Sequence, residues 1–79
     1  MKARVTVTLK SGVLDPQGKA IEGALASLGF AGVASIRQGK VFDVELAETD
    51  RAKADAALNA MAGKLLANMV IENYRVEIM

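Results

Sequence analysis

From Ala3 to Lys10 the chain alternates without a break. Ala3, Val5, Val7 and Leu9 are apolar, whereas Arg4, Thr6, Thr8 and Lys10 are polar. A period of two places the first set on one face of a β-strand and the second on the other. Such a strand needs neighbours on its edges and a cover on its apolar face. With 79 residues, all of this must fit one small domain, residues 1–79, that buries only about 60% of its unfolded surface.

The rest of the chain can supply neighbours and cover. Ser11-Gly12 ends the strand. Asp15 suits a helix N-cap, and Pro16 at the first helical position loses no needed donor. Ile21, Ala24, Leu25 and Leu28 recur at helical spacing, and Gly29 stops that helix as a left-handed cap. Residues 33–38 and 40–47 are predicted strands, joined by a tight hairpin turn at Gln38-Gly39. Ala34 and Ile36 share a face, as do Phe42, Val44 and Leu46. Thr49 or Asp50 caps a second helix with the apolar stripe Ala54, Ala57, Leu58, Met61, Ala62 and Leu65, closed by Asn68. A last strand at 70–78 turns Tyr74, Val76 and Ile78 inward. The order βαββαβ predicts an α+β ferredoxin-like sandwich, a four-stranded antiparallel sheet with two helices on one face.

Composition narrows the chemistry. The chain has no cysteine and no histidine. It therefore lacks thiolate nucleophiles, the commonest general base and the commonest metal ligand. A net charge of +1 with both signs interspersed is not the footprint of a nucleic-acid binder. No apolar run approaches the ~20 residues that span a bilayer. Met1-Lys2-Ala3-Arg4 leads into alternation and not into a signal peptide's apolar core. The expectation is a soluble cytoplasmic domain without membrane attachment. A hydrophobic content of 52% is high for so short a chain. It suggests that part of the apolar surface is covered by assembly.

Residues 9–21, LKSGVLDPQGKAI, open like a phosphate-binding loop but do not complete one. A P-loop has four residues between its glycines and a hydroxyl after the lysine. Here five residues separate Gly12 from Gly18, and Ala20 follows Lys19. Pro16 removes an amide donor and Asp15 adds a negative charge. Gly18 is not explained by the helix start, since glycine inside a helix costs up to ~1 kcal/mol relative to alanine. It suits the close approach of another backbone, from this chain or a partner.

The acidic residues Asp43, Glu45, Glu48 and Asp50 read as a solvated strand face and turn, with no calcium-loop spacing. Phe42 and Tyr74 are expected to face the helices, which leaves no aromatic platform for RNA. Arg37-Gln38-Gly39-Lys40 reads as a hairpin tip, or as a knob whose cations meet acids on a partner. Met61 and Met69 read as core or subunit-contact filler. No residue set amounts to an active site, so the expected catalytic, cofactor-binding and metal residues are none.

Several segments together resemble the PurS family. Val7-Thr8-Leu9-Lys10-Ser11-Gly12-Val13-Leu14-Asp15-Pro16-Gln17-Gly18 is similar to its first strand and turn, with matching spacing to Ala24-Leu25 and Leu28-Gly29-Phe30. Arg37-Gln38-Gly39-Lys40 resembles its hairpin, and Leu65-Leu66-Ala67-Asn68 with Val70-Ile71-Glu72-Asn73-Tyr74 resembles its closing signature. Met69 departs from the pattern, which usually has proline there.

The resemblance implies a small, non-catalytic bridging subunit of phosphoribosylformylglycinamidine (FGAM) synthase. That ligase of purine biosynthesis (EC 6.3.5.3) uses glutamine as nitrogen donor. The implied partners are a second copy of the chain (a dimer or higher), a large synthetase subunit and a glutaminase subunit. The implied cofactors, ATP and Mg²⁺, belong to the synthetase. Gly12, Val13, Asp15, Pro16, Gln17 and Gly18 are the expected first partner-contact surface, and Arg37, Gly39 and Lys40 the second. Asn68 is a further expected contact. The competing reading is an ACT-like module, which shares the element order and binds small metabolites near a first turn containing glycine. An acylphosphatase-like anion loop fits less well, because Asp15 and Pro16 occupy that turn.

Overall fold

The computed structural model describes residues 1–79. The elements run β1 (Lys2–Leu9), α1 (Pro16–Ser27), β2 (Gly39–Glu45), α2 (Arg51–Met61), a π-helical turn (Ala62–Leu66) and β3 (Glu72–Ile78). The sheet has three strands, all antiparallel, in the order β2-β1-β3. The alternating strand is thus the central one, where both edges are paired and one face is covered.

Register places each residue's neighbours. Val5 lies between Phe42 and Val76, and Val7 between Lys40 and Tyr74. The inner face therefore carries Ala3, Val5 and Val7 flanked by Phe42, Val44, Tyr74, Val76 and Ile78. Leu58 and Ala62, from α2 and the turn after it, close over Ala3, Val5 and Val7 to form the core. Tyr74 is half-buried there and donates its hydroxyl to Asn59 Oδ1 of α2 at 2.9 Å. The outer face is polar, and Arg4 pairs across strands with Asp43 at 2.9 Å.

Asp50 is the cap of α2, accepting the N–H groups of Ala52 and Lys53 at 2.9 and 3.2 Å. The end of that helix departs from the expected stripe. Ala67 N–H reaches back five residues to the Ala62 carbonyl at 2.9 Å. This π-type bond adds a residue to the turn and rotates the chain beyond it. Leu65 is consequently turned out, 83% exposed, while Leu66 packs on the core and Ala67 is buried within it. Asn68 does not cap the helix. Its Oδ1 accepts Val70 N–H and its carbonyl accepts Ile71 N–H, which makes a turn into β3.

Two parts of the predicted sandwich are corrected. The sheet has three strands, not four, because residues 33–38 do not pair as a strand. A two-residue hairpin at Gln38-Gly39 would need positive φ, and neither residue has it. Gln38 gives its N–H to Asp15 instead, and Gly39 already lies in β2 opposite Thr8. The two helices also do not share one face of the sheet. Helix α1 contributes no side chain to the core; its one buried residue is Gly18. It ends as expected, with Gly29 at φ +97°, and the N–H groups of Gly29 and Phe30 bond to the carbonyls of Ala26 and Leu25. The chain then returns alongside α1, where Ile36 N–H meets Glu22 Oε2 at 3.2 Å. Helix and return segment form an arm projecting from the sheet, and the molecule measures 49 × 25 × 14 Å.

Candidate functional site: the neck of the arm

The arm joins the sheet where the C-terminal end of β1 meets the starts of β2 and β3. A turn at Lys10–Val13, closed by Val13 N–H to the Lys10 carbonyl at 3.1 Å, leads out of β1. Gly12 holds φ +88° at its third position, and Ser11 before it has negative φ, as a type II turn requires.

Asp15 then binds the two sides of the neck together. Its Oδ1 accepts Gly18 N–H and its Oδ2 accepts Gln38 N–H, both at 2.9 Å. The residue is buried, 5% exposed. These two N–H groups, the Gly18 bond first, hold its carboxyl below the ordinary aspartate pKa against the cost of burial, and the Arg37 guanidinium adds to the effect. Gly18 fits because a Cβ there would strike the Ile36 carbonyl. The close backbone approach expected at this glycine is therefore to the chain's own return segment.

The two surfaces anticipated separately in the sequence converge here. Gln17 and Gln38 join side chains across the neck. Arg37 sends Nη2 to the Lys10 carbonyl at 3.2 Å. An open cleft of about 210 Å³ lies at the junction, lined in part by Val7, Asp15, Gln17, Gly39, Lys40 and Glu72. Asp15 and Gly18 are buried and Val13 is half-buried, whereas Gly12, Pro16, Gln17, Arg37 and Lys40 stand exposed.

Glu72 is the neck residue that sequence reasoning missed. One carboxylate oxygen accepts Asn68 N–H at 2.6 Å, and the other lies 3.6 Å from Lys40 Nζ. It thereby couples the turn at Asn68 to the first residues of β2. In the sequence Glu72 sits within a predicted strand with no partner in view. Only the pairing of Leu9 with Glu72, and of Val7 with both Lys40 and Tyr74, would have brought it to the same end of the inner face.

The neck offers shape and hydrogen-bonding groups. No group of three Asp or Glu side chains comes together to hold a metal ion. No helix is long and apolar enough to cross a membrane.

Comparison with known proteins agrees with the sequence motifs. Residues 2–79 match the family described as PurS, phosphoribosylformylglycinamidine (FGAM) synthase. A phosphoribosylformylglycinamidine synthase subunit PurS of Synechocystis is 47% identical over 75 residues, covering 95% of this chain and 75% of that one. The solved structure of Bacillus subtilis PurS superposes with a TM-score of 0.87 at 45% identity, over 96% of this chain and 94% of that one. A chain of the structure of PurLQS from Thermotoga maritima reaches a TM-score of 0.90 at 31% identity, over 99% and 95%. The chain belongs to the PurS family of phosphoribosylformylglycinamidine synthase subunits.

Proposed function

We propose that this chain is the non-catalytic subunit that pairs with itself and holds the large synthetase and the glutaminase of the FGAM synthase together. Its assembly lets ammonia pass from glutamine to the amide substrate. The observation that carries this reading is the likeness over nearly the whole chain to a subunit within PurLQS of Thermotoga maritima. The chemistry of the chain fits that division of labour. Releasing ammonia from glutamine calls for an activated nucleophile such as a cysteine beside a histidine, and the chain has neither. ATP and Mg²⁺ then belong to the synthetase partner, in the cytoplasm where its substrates are made.

Free ammonia is readily protonated or lost, so a contact that excludes water between two sites protects the transfer. The exposed groups at the neck suit such a contact. Arg37 and Lys40 offer cations beside the shaped backbone of Gly12 and Pro16, a surface for acidic groups on a larger subunit. The test is assembly followed by size-exclusion chromatography with both larger subunits. Arg37→Ala and Lys40→Ala are expected to weaken the complex. Unchanged assembly by both variants would remove the neck from the interface.

A further inference from the structure

We infer that the connection between α2 and β3 is a second anchor on the larger subunits of the synthase, beside the neck. Leu65 and Val70 enter an apolar groove there, and Lys64 meets carboxylates on its rim. The identity of the partner rests on the bridging role proposed above. The inference adds the surface used and the chemistry that this partner must present.

The connection carries apolar side chains where the fold has no use for them. Leu65 is 83% exposed and Val70 81%, and Met69 and Ile71 are exposed as well. A regular α-helix would have kept Leu65 in the apolar stripe of α2. The bond from Ala67 N–H to the Ala62 carbonyl turns it out and gives the core places to Leu66 and Ala67. Such π-type turns are rare and recur at functional sites. Val70 sits at the third position of the turn from Asn68 to Ile71, a setting where glycine, asparagine, aspartate or serine is usual. Asn68 Oδ1 accepts the Val70 N–H at 3.1 Å, and the Asn68 carbonyl accepts that of Ile71 at 3.0 Å. Glu72 in turn holds the Asn68 N–H. The apolar tip is therefore ordered in advance, and little freedom is lost when a partner buries it.

The charge beside the tip selects the partner. Lys10 N–H bonds to the Ile71 carbonyl at 2.8 Å, which sets the connection against the end of β1 and the neck. At this end Lys19, Arg37, Lys40 and Lys64 stand exposed, while Asp15 is buried and Glu22 and Glu72 are half-buried. Lys64 has no acidic partner within the chain. The exposed charge here is thus positive, whereas the exposed acids Glu45 and Asp50 lie at and beyond the far end of β2. A two-fold contact of this surface with itself would set like charges against each other. An apolar groove edged by carboxylates on a larger subunit is complementary in both respects.

The test titrates the chain with the synthetase and glutaminase together and measures Kd. Leu65→Ser and Val70→Ser are each expected to raise it at least about tenfold, while the chain keeps its own melting temperature and its mass in sedimentation. Lys64→Glu removes no apolar contact of the core; it is expected to raise Kd at low salt and to raise it less at high salt. Unchanged binding by the two serine variants would overturn this surface and leave the bridging role standing. A lighter mass for either variant would assign the surface to a second copy and overturn the inference as well. If the unmodified chain does not bind, the bridging role fails and the inference fails with it.

Discussion

Gln38 donates its backbone N–H to the carboxylate of Asp15 at 2.9 Å, across 23 residues of chain. The same carboxylate caps α1 through Gly18. One buried side chain thus fixes both where the arm leaves the sheet and where it returns.

The Asp15 carboxyl titrates below its ordinary range because Gly18 and Gln38 donate to its charged form. A depressed folded pKa gives stability that is complete above the unfolded value, about 3.9. That stability is lost as pH falls through the folded value. Asp15→Asn is therefore expected to lower the melting temperature at neutral pH by roughly 5 °C. It should also flatten the fall in melting temperature below about pH 4. An equally steep acid profile in the variant would contradict this.

At Gly18 two effects oppose each other. Alanine improves intrinsic helix stability by up to ~1 kcal/mol. Its Cβ, however, would meet the backbone carbonyl of Ile36, which cannot swing aside like a side chain. The clash is expected to prevail, so Gly18→Ala costs about 1–3 kcal/mol net. Chemical denaturation measures it; equal or greater stability would show that the return segment yields freely.

Lys40 is the cleaner probe of the neck. Its ammonium stands 3.6 Å from Glu72, and its side chain is 57% exposed. Such a pair contributes about 0–1 kcal/mol. Lys40→Ala is expected to keep its stability within that margin while weakening assembly with the larger subunits. A large loss of stability would show that the Lys40–Glu72 link is structural.

Met69 occupies the second position of the turn closed by Ile71 N–H to the Asn68 carbonyl at 3.0 Å. Proline is favoured there, and no residue in this turn has positive φ. Met69→Pro is expected to stabilise the chain by about 0.4–1 kcal/mol by restricting the unfolded state. Destabilisation on thermal melting would show that the turn needs a conformation proline cannot take.

The sequence was most legible where local chemistry acts alone. The alternation in β1, the cap at Asp15 and the stop at Gly29 each depend on a few adjacent residues. Prediction failed where distant backbone groups compete. Gln38-Gly39 has the composition of a hairpin, but the Asp15 carboxylate takes the Gln38 N–H and leaves residues 33–38 beside α1. Leu65 has the right spacing for the core, yet the π-type bond between Ala67 and Ala62 turns it outward. At the site, Gly18 betrayed a close approach. Glu72 gave no signal, because its significance lies in pairing across the sheet.

On the proposed function, this chain couples two active sites carried by other subunits. The direct test reconstitutes the synthetase and glutaminase with and without it, and measures FGAM formation from glutamine and from ammonia separately. Glutamine-dependent formation is expected to require the chain, while ammonia-dependent formation survives its omission. Glutamine-dependent formation that proceeds equally well without it would contradict the bridging role.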